Sequence, residues 1–537
     1  MIAYVKHLTA YSTETNRGHD NYNISKHDLF ESYLPAYEKA FVEGKAAGAM
    51  CSYNAINGAP SCANDYLNNQ IVRGWAPSAH ITTDCGAVGN LKGDPVNAGS
   101  DEEAAAMAMN GGADLDMGDL VMTEALESAV EMGLVTEDLV DAAWTRAFTL
   151  LFRAGRFDPP ESVEWSKFGK EDINSDAHKK IAFEAALQGQ ILLKNDGTLP
   201  LENGVDVAVI GPMSSDPSLY LSSYASDDIC YGSASTGDYS CMTSIYEAIE
   251  KENSGKTTVA EGCDISGNST AGFNEAMKAA KEADVVVLAL GIDKSIERET
   301  QDRTDTALPG VQEKLALEIL ALGKKVVVVL ANGGTLAIDN LMEGPGAIVE
   351  TFNPAVEGPK ALAQSLFGLH NKWGKLPVTM YPHSYINEQS LINYDMSLSP
   401  GRTYRYYDNE PLYSFGHGLS YTDFDLECDK EEDKSTVTCS VSNLGDVDGD
   451  EVVFVYHAAG NDTRKAALDH HPVPIKALVD FERVTVEAGK SVNISFKLSK
   501  DVFKLVNEDG EKTLYHGDHQ LIFSRGHGKD VALNYVV

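Results

Sequence analysis

At 537 residues, with 43% of positions hydrophobic and 23% charged, the chain is long enough to bury two or three separate cores and reads as a multidomain globular protein. Its 80 acidic against 43 basic side chains give a formal net charge of -37, which argues against nucleic acid or an anionic membrane surface as partner and favours a neutral or cationic one. No run of eighteen apolar residues occurs, so no transmembrane span is expected, and the first residues, with Lys6 and His7, do not read as a signal peptide.

Residues 1–6 read as a strand ending at Lys6-His7, 28–43 as a helix, and 47–53 as a strand ending at Ser52-Tyr53-Asn54. A helix over 65–74, a strand over 79–83, a helix over 102–110 and a short strand over 113–117 follow. Such a run of βα units implies a parallel sheet with functional groups at its strand ends, but four units are too few to close a barrel of eight. Helices over 123–133 and 136–154 come next, the second with Thr136 as N-cap and Glu137 in its first turn. The stretch around Pro159, to about 176, reads as a linker.

Beyond the linker, a helix over 177–193 opens a second α/β segment. Strands at 206–210, 284–290, 325–330 and 347–351 alternate with helices at 272–283, 309–322 and 359–367. Their near-continuous Val/Leu/Ile runs require a parallel sheet covered on both faces, a separate doubly wound domain. From about Phe424 short strands take over, at 435–441, 451–457, 476–486, 491–498, 519–523 and 531–537, with no helix expected between them. Turn signals such as Asn443-Leu444-Gly445 and Ala488-Gly489 separate them, and a β-sandwich fits. The boundaries so drawn are 1–158, a linker at 159–176, 177–395, a connector at 396–423, and 424–537.

Of the eight cysteines, Cys51/Cys62, Cys230/Cys241 and Cys428/Cys439 each lie eleven residues apart, a spacing that suits loop or hairpin disulfides, while Cys85 and Cys263 are left over. With no C-x-x-C pair, a structural zinc site is not expected. Sequons at Asn23, Asn268, Asn461 and Asn493 join the paired cysteines in pointing to a secreted or vacuolar origin.

The stretch Ala79-His80-Ile81-Thr82-Thr83-Asp84-Cys85-Gly86 places an acid where a short apolar strand stops, which is where an α/β barrel keeps its catalytic groups. The plainer reading of Asp84 is a cap for the helix that follows. A second polar cluster, residues 291–303, follows the 284–290 strand and holds Asp293, Glu297, Glu299 and Asp302 beside Lys294, Arg298 and Arg303. Two carboxylates from separate domains meeting across a cleft suit nucleophile and general acid on a glycosidic bond, one ionised to attack and one kept protonated for the leaving oxygen. Lys6 and His7 are candidates to hold Asp84 ionised or to bind sugar hydroxyls.

Taken together, Lys6-His7, the stretch Met50 to Gly58, Thr82-Thr83-Asp84-Cys85, Ala113-Asp114-Leu115-Asp116, Leu192 to Asn195, Gly291 to Glu299, Gly401 to Tyr406 and Phe415 to Tyr421 resemble glycoside hydrolase family 3, in particular its fungal and plant β-D-xylosidase branch. The resemblance implies a (β/α)8 TIM-type barrel, an α/β sandwich with a mainly parallel sheet, and a C-terminal fibronectin type III-like β-sandwich. It implies retaining, exo-acting hydrolysis that releases β-D-xylose from the non-reducing ends of xylo-oligosaccharides, with no metal or organic cofactor. By position, Asp84 matches the nucleophile and Glu299 the acid/base, with Glu297 as alternate, while Lys6, His7 and Tyr53 match residues that line the sugar subsite. Phe415-Gly416-His417-Gly418 matches the link into the last domain.

Two departures accompany the resemblance. The family's barrel begins well before its Lys-His motif, so positions 6 and 7 imply only the C-terminal half of a barrel, without an Asp and an Arg that grip sugar hydroxyls in relatives. Met117 stands where relatives of this branch have a Cys able to pair with the one after the nucleophile, so Cys85 loses its expected partner. The readings beside the xylosidase are a β-glucosidase or α-L-arabinofuranosidase of the same family, and an inactive fragment acting only as a carbohydrate-binding or partner-dependent module.

Overall fold

The first four β-runs pair in the order in which they occur along the chain, as successive right-handed βα units dictate. In the computed structural model β1 (Tyr4–Leu8), β2 (Gly48–Cys51), β3 (His80–Cys85) and β4 (Leu115–Met117) form one parallel sheet. The structure describes residues 1–118, 120–225, 229–230, 237–431, 435–468 and 470–537. Leu8, Ala49, Cys51 and Ile81 project from the sheet into a core shared with Phe41, Leu67 and Val72 of the intervening helices. Gly48 is required where the strands come closest, because a Cβ there would stand 2.1 Å from the His80 carbonyl oxygen.

The helix expected over 28–43 is interrupted: Lys26–Asp28 passes into a π-helical turn at Leu29–Tyr33 before the α-helix Pro35–Val42. Pro35 has no N–H to continue the ladder, and the Leu34 N–H reaches back to the Leu29 carbonyl at 2.9 Å. The 65–74 helix likewise divides into a π-helical Tyr66–Val72 and Arg73–Trp75. Helices Asp101–Asn110 and Val121–Glu131 pack through Ala104, Ala105, Ala108, Ala125 and Ala129, small side chains that let the backbones approach. Thr136 holds the N-cap position of Glu137–Arg153 but makes no side-chain capping bond. That helix leaves Trp144 (58%) and Phe152 (62%) exposed.

The sheet belongs to the first of two compact units, Met1–Lys170 with Ser390–Met396 and Leu505–Thr513. The sequence boundaries differ: they divide Ser390–Met396 between the 177–395 domain and the 396–423 connector, and give Leu505–Thr513 to the 424–537 domain. The reason lies in single contacts. The buried Tyr394 stacks on Tyr22 with centroids 4.2 Å apart, the Met396 N–H meets Asp28 Oδ1 at 3.3 Å, and the Val506 carbonyl meets His27 Nδ1 at 2.9 Å.

The second unit carries β5 (Ile191–Asn195), β6 (Val207–Ile210), β7 (Thr257–Ala260), β8 (Val285–Gly291), β9 (Lys325–Ala331) and β10 (Ala347–Glu350) in the order β7-β6-β8-β9-β10-β5. All pairs are parallel except β10 with β5. Val286, Leu288 and Leu290 feed one core and Val285, Val287 and Ala289 another, so β8 is buried on both faces. The helix expected over 177–193 stops at Gly189, and Ile191–Asn195 is instead the antiparallel edge strand. Ile-Leu-Leu suits either state, and pairing with β10 decides it. Helix Ile245–Glu252, with a complete Ser244/Glu247 capping box, and β7 were not anticipated.

In the same unit β11 (Phe424–Lys430), β12 (Thr436–Asn443), β13 (Gly449–Ala459), β14 (Ala477–Val486), β15 (Ser491–Lys497), β16 (Asp518–Ser524) and β17 (Val531–Val536) form two antiparallel sheets, β11-β12-β15 and β14-β13-β16-β17. The expectation of a helix-free stretch fails at Asn461–Leu468, a helix whose first N–H groups at Asp462 and Thr463 are met by Asp518 Oδ1 at 3.0 and 3.4 Å. Lys375 meets Glu451 of β13 at 2.7 Å, both almost wholly buried, and Arg525 meets the other Glu451 oxygen at 3.3 Å. The disulfides are Cys51–Cys62, Cys230–Cys241 and Cys428–Cys439, and Cys85 and Cys263 are free thiols.

Candidate active site

Asp84 is the penultimate residue of β3, at the C-terminal edge of the four-stranded sheet. Gly86, at φ +77, lets the chain turn at once into the short helix Ala87–Asn90, whose N-cap position it occupies. The cap reading of Asp84 therefore fails. Its Oδ1 accepts from the adjacent Cys85 N–H at 2.8 Å, and Oδ2 faces His7 Nε2 at 3.4 Å. The side chain is 11% exposed, so the carboxyl is nearly closed off from solvent.

The elements around it converge from three strand ends. His7 lies at the end of β1 beside the exposed Lys6, and Tyr53 follows β2. The Tyr53 hydroxyl donates to the Cys85 carbonyl at 2.7 Å, just past Asp84. Burial, then the Asp84 charge, push the Tyr53 phenol well above its ordinary range, so it stays a neutral donor. Sequence reasoning missed two members of this cluster. Tyr11 packs edge-on against both His7 and Tyr53, at 5.2 and 6.2 Å between centroids. Arg17 lies over the Tyr53 ring at 4.6 Å, donates to the Tyr11 hydroxyl at 3.1 Å and pairs with Glu14 at 2.9 Å. Their only sequence signal is nearness to Lys6-His7 in the loop after β1. Cys85 and Met117 are register partners on β3 and β4, and Cys85 is exposed.

The second unit has its own polar site at the C-terminal edge of a parallel sheet, where doubly wound folds bind ligands. The loop after β8 places Glu299 and Thr300 between Arg298 and Gln301, whose backbones exchange bonds of 3.1 and 3.0 Å. Glu299 is exposed, and its N–H meets Ser223 Oγ at 3.5 Å. Glu297 is held differently, with Oε1 accepting from the Gly334 N–H at 2.5 Å and Oε2 facing Arg303 Nε at 2.9 Å. Beneath them, at the end of β10, the fully buried Glu350 accepts from the Phe352 N–H at 2.8 Å and Asn332 Nδ2 at 3.3 Å. Loss of solvent pushes its carboxyl up to about 8. Among the described residues no three His, Cys, Asp or Glu side chains converge as a metal site.

Residues 1–150 match the model of the glycosyl hydrolase family 3 N terminal domain, 190–421 that of the family 3 C-terminal domain, and 451–525 that of the fibronectin type III-like domain. The probable exo-1,4-beta-xylosidase bxlB of Aspergillus flavus is 34% identical over 558 residues, covering 97% of this chain and 69% of that protein. The probable beta-D-xylosidase 6 of Arabidopsis thaliana is 33% identical over 97% of this chain and 71% of its own length. Among solved structures, the GH3 exo-beta-xylosidase XlnD, in complex with a xylobiose aziridine activity based probe, has a TM-score of 0.89 at 29% identity, covering 100% of this chain and 72% of its own. The beta-glucosidase from Listeria innocua in complex with isofagomine has a TM-score of 0.87 at 27% identity, over 100% and 74%. The matched regions follow the architecture: a TIM-like N-terminal domain, an α/β sandwich with a parallel sheet, and a C-terminal fibronectin type III-like domain. This chain belongs to glycosyl hydrolase family 3.

Proposed function

We propose that the protein is a retaining, exo-acting β-xylosidase that releases β-D-xylose from the non-reducing ends of xylo-oligosaccharides. The observation that carries the reading is the held Asp84 carboxylate at the end of β3, beside His7, in a chain similar along its length to named exo-1,4-beta-xylosidases. Asp84 attacks the anomeric carbon while the bond to the leaving oxygen breaks and Glu299 gives that oxygen its proton. Water, deprotonated by the Glu299 carboxylate, then attacks the same carbon, breaks the glycosyl ester and returns Asp84 as a carboxylate. Lys6, His7 and the neutral Tyr53 phenol bind sugar hydroxyls, and no metal or organic cofactor takes part.

Hydrolysis of an aryl β-D-xyloside by the intact protein tests the activity. Asp84→Asn is expected to abolish turnover while leaving the circular dichroism and melting curve in place, and unchanged turnover would sink the assignment. A β-glucosidase is the second reading, favoured by Cys85 facing Met117 with no disulfide across β3 and β4. Faster hydrolysis of the aryl β-D-glucoside than of the xyloside would select it.

Two finer readings accompany this proposal. The four parallel strands are the C-terminal half of an eight-stranded barrel, and the exposed Trp144 and Phe152 lie on a face that further βα units would cover. An apolar dye that fails to bind this polypeptide would count against it. The protein is also secreted or vacuolar and glycosylated, since Asn23, Asn268, Asn461 and Asn493 are all exposed. Native protein whose mass is unchanged by N-glycosidase would overturn that.

A further inference from the structure

The loop after β8 is folded on itself by short bonds. Asp293 Oδ1 accepts from the Ser295 N–H and hydroxyl at 3.0 and 2.6 Å, and Gln301 Nε2 donates to the Ser295 and Ile296 carbonyls at 3.0 Å each. Within it Thr300, a β-branched residue, sits at φ +73, a conformation that persists only where the surroundings hold it. Two side chains of the loop, Glu297 and Arg303, tie this polar turn to the neighbouring strand end. Glu297 Oε1 takes the Gly334 N–H at 2.5 Å, its Oε2 takes Arg303 Nε at 2.9 Å, and Arg303 Nη2 donates to the Thr335 carbonyl at 2.7 Å. Gly334 and Thr335 lie just past the C-terminal end of β9, so the clamp joins the ends of two adjacent strands. A side chain there would push the clamp aside: a Cβ on Gly333 would stand 2.6 Å from Glu297 Oε1, and one on Gly334 would stand 2.7 Å from Arg303 Nη2.

We propose that Glu297 is a positioning residue: clamped by Arg303 and the Gly334 amide, it fixes the turn at residues 298–301 and with it the direction of the Glu299 carboxyl. The inference rests on reading Glu299 as the acid/base. Both Glu297 oxygens are engaged by N–H groups of Gly334 and Arg303, so the side chain is committed to the clamp. Two residues further on, Glu299 stands at the tip of the turn that this clamp holds in place.

The test uses two substrates. 2,4-Dinitrophenyl β-D-xyloside departs without a proton, whereas phenyl β-D-xyloside needs one, so a misdirected acid slows the second selectively and general loosening of the fold slows both alike. Azide adds a second readout: where the acid/base carboxylate has been removed, azide attacks the anomeric carbon of the glycosyl ester, releases the Asp84 carboxylate and leaves xylosyl azide. Glu297→Gln, and independently Gly334→Ala, are expected to lower kcat/KM on the phenyl glycoside about a hundredfold, with a much smaller loss on the dinitrophenyl glycoside and no xylosyl azide. Glu299→Gln should show the same selectivity and make xylosyl azide. Xylosyl azide from Glu297→Gln would make Glu297 itself the acid/base, and equal losses on both substrates or wild-type kinetics would reject the clamp. A Glu299→Gln variant without leaving-group dependence or azide product would instead overturn the reading of Glu299.

Discussion

Replacing Glu350 by Gln should change how stability depends on pH while leaving the polar network at the strand ends largely intact. The side chain is fully buried at the end of β10, and burial raises its carboxyl from the ordinary 4.5 to about 8. Below pH 4.5 folded and unfolded chains both carry the proton, and its contribution to stability is fully present. As the pH rises the unfolded carboxyl ionises first, so stability is lost progressively until the folded form ionises near pH 8. At about 1.4 kcal/mol per pH unit that loss amounts to at most about 5 kcal/mol. Glutamine keeps an acceptor for the Phe352 N–H, and Asn332 Nδ2 retains the Gly334 carbonyl at 3.0 Å. Melting temperatures of both proteins between pH 4.5 and 8.5 isolate the effect, because every other titrating group is common to the pair. The variant should gain on the wild type steadily with pH, by at least about 2 kcal/mol at pH 8. A difference independent of pH would refute the reasoning.

Asp114 is fully buried between Arg73 and Arg146, 2.7 Å from each, and also accepts the Ile81 N–H at 2.9 Å. Asp114→Asn leaves two cations facing each other and should cost about 3–5 kcal/mol in denaturant unfolding, with a loss below about 1 kcal/mol counting against the account. His457, stacked on His519 in the terminal sandwich, is pushed down to about 3 by burial. It stays neutral in the folded state while the unfolded chain takes up a proton, so its stability is present above pH 6.5 and lost as the pH falls toward 3. His457→Gln should flatten that acid limb in a pH series of urea midpoints, and parallel curves would contradict it.

The position of Asp84 was legible because the stretch 79–83 has strand composition and Gly86 announces the turn. The Val runs of β8 and β9 likewise announced a sheet buried on both faces. Where the reading failed, the deciding contact was remote. Ile191-Leu192-Leu193 becomes a strand because β10 offers it a partner, and Tyr394 joins the first unit because Tyr22 offers it a ring to stack on. The different settings of Glu297 and Glu299 are invisible in a Glu-Arg-Glu triplet, since the amide that holds Glu297 lies on Gly334, thirty-odd residues away. Arg17 was missed for a similar reason, because its partner Tyr53 comes from the next strand end.

The Lys375–Glu451–Arg525 cluster bears on modularity. Glu451 belongs to the terminal β-sandwich, whereas Lys375 precedes that domain in the chain, and both side chains are shut off from water. A foreign sandwich that covered Lys375 without supplying an acid would bury an unpaired ammonium group, at about 3–5 kcal/mol. Exchanging this sandwich for a foreign one would succeed only if the incoming domain brought an acid to the same spot. The fit of the last domain to the sheet before it therefore includes a matched buried charge as well as shape.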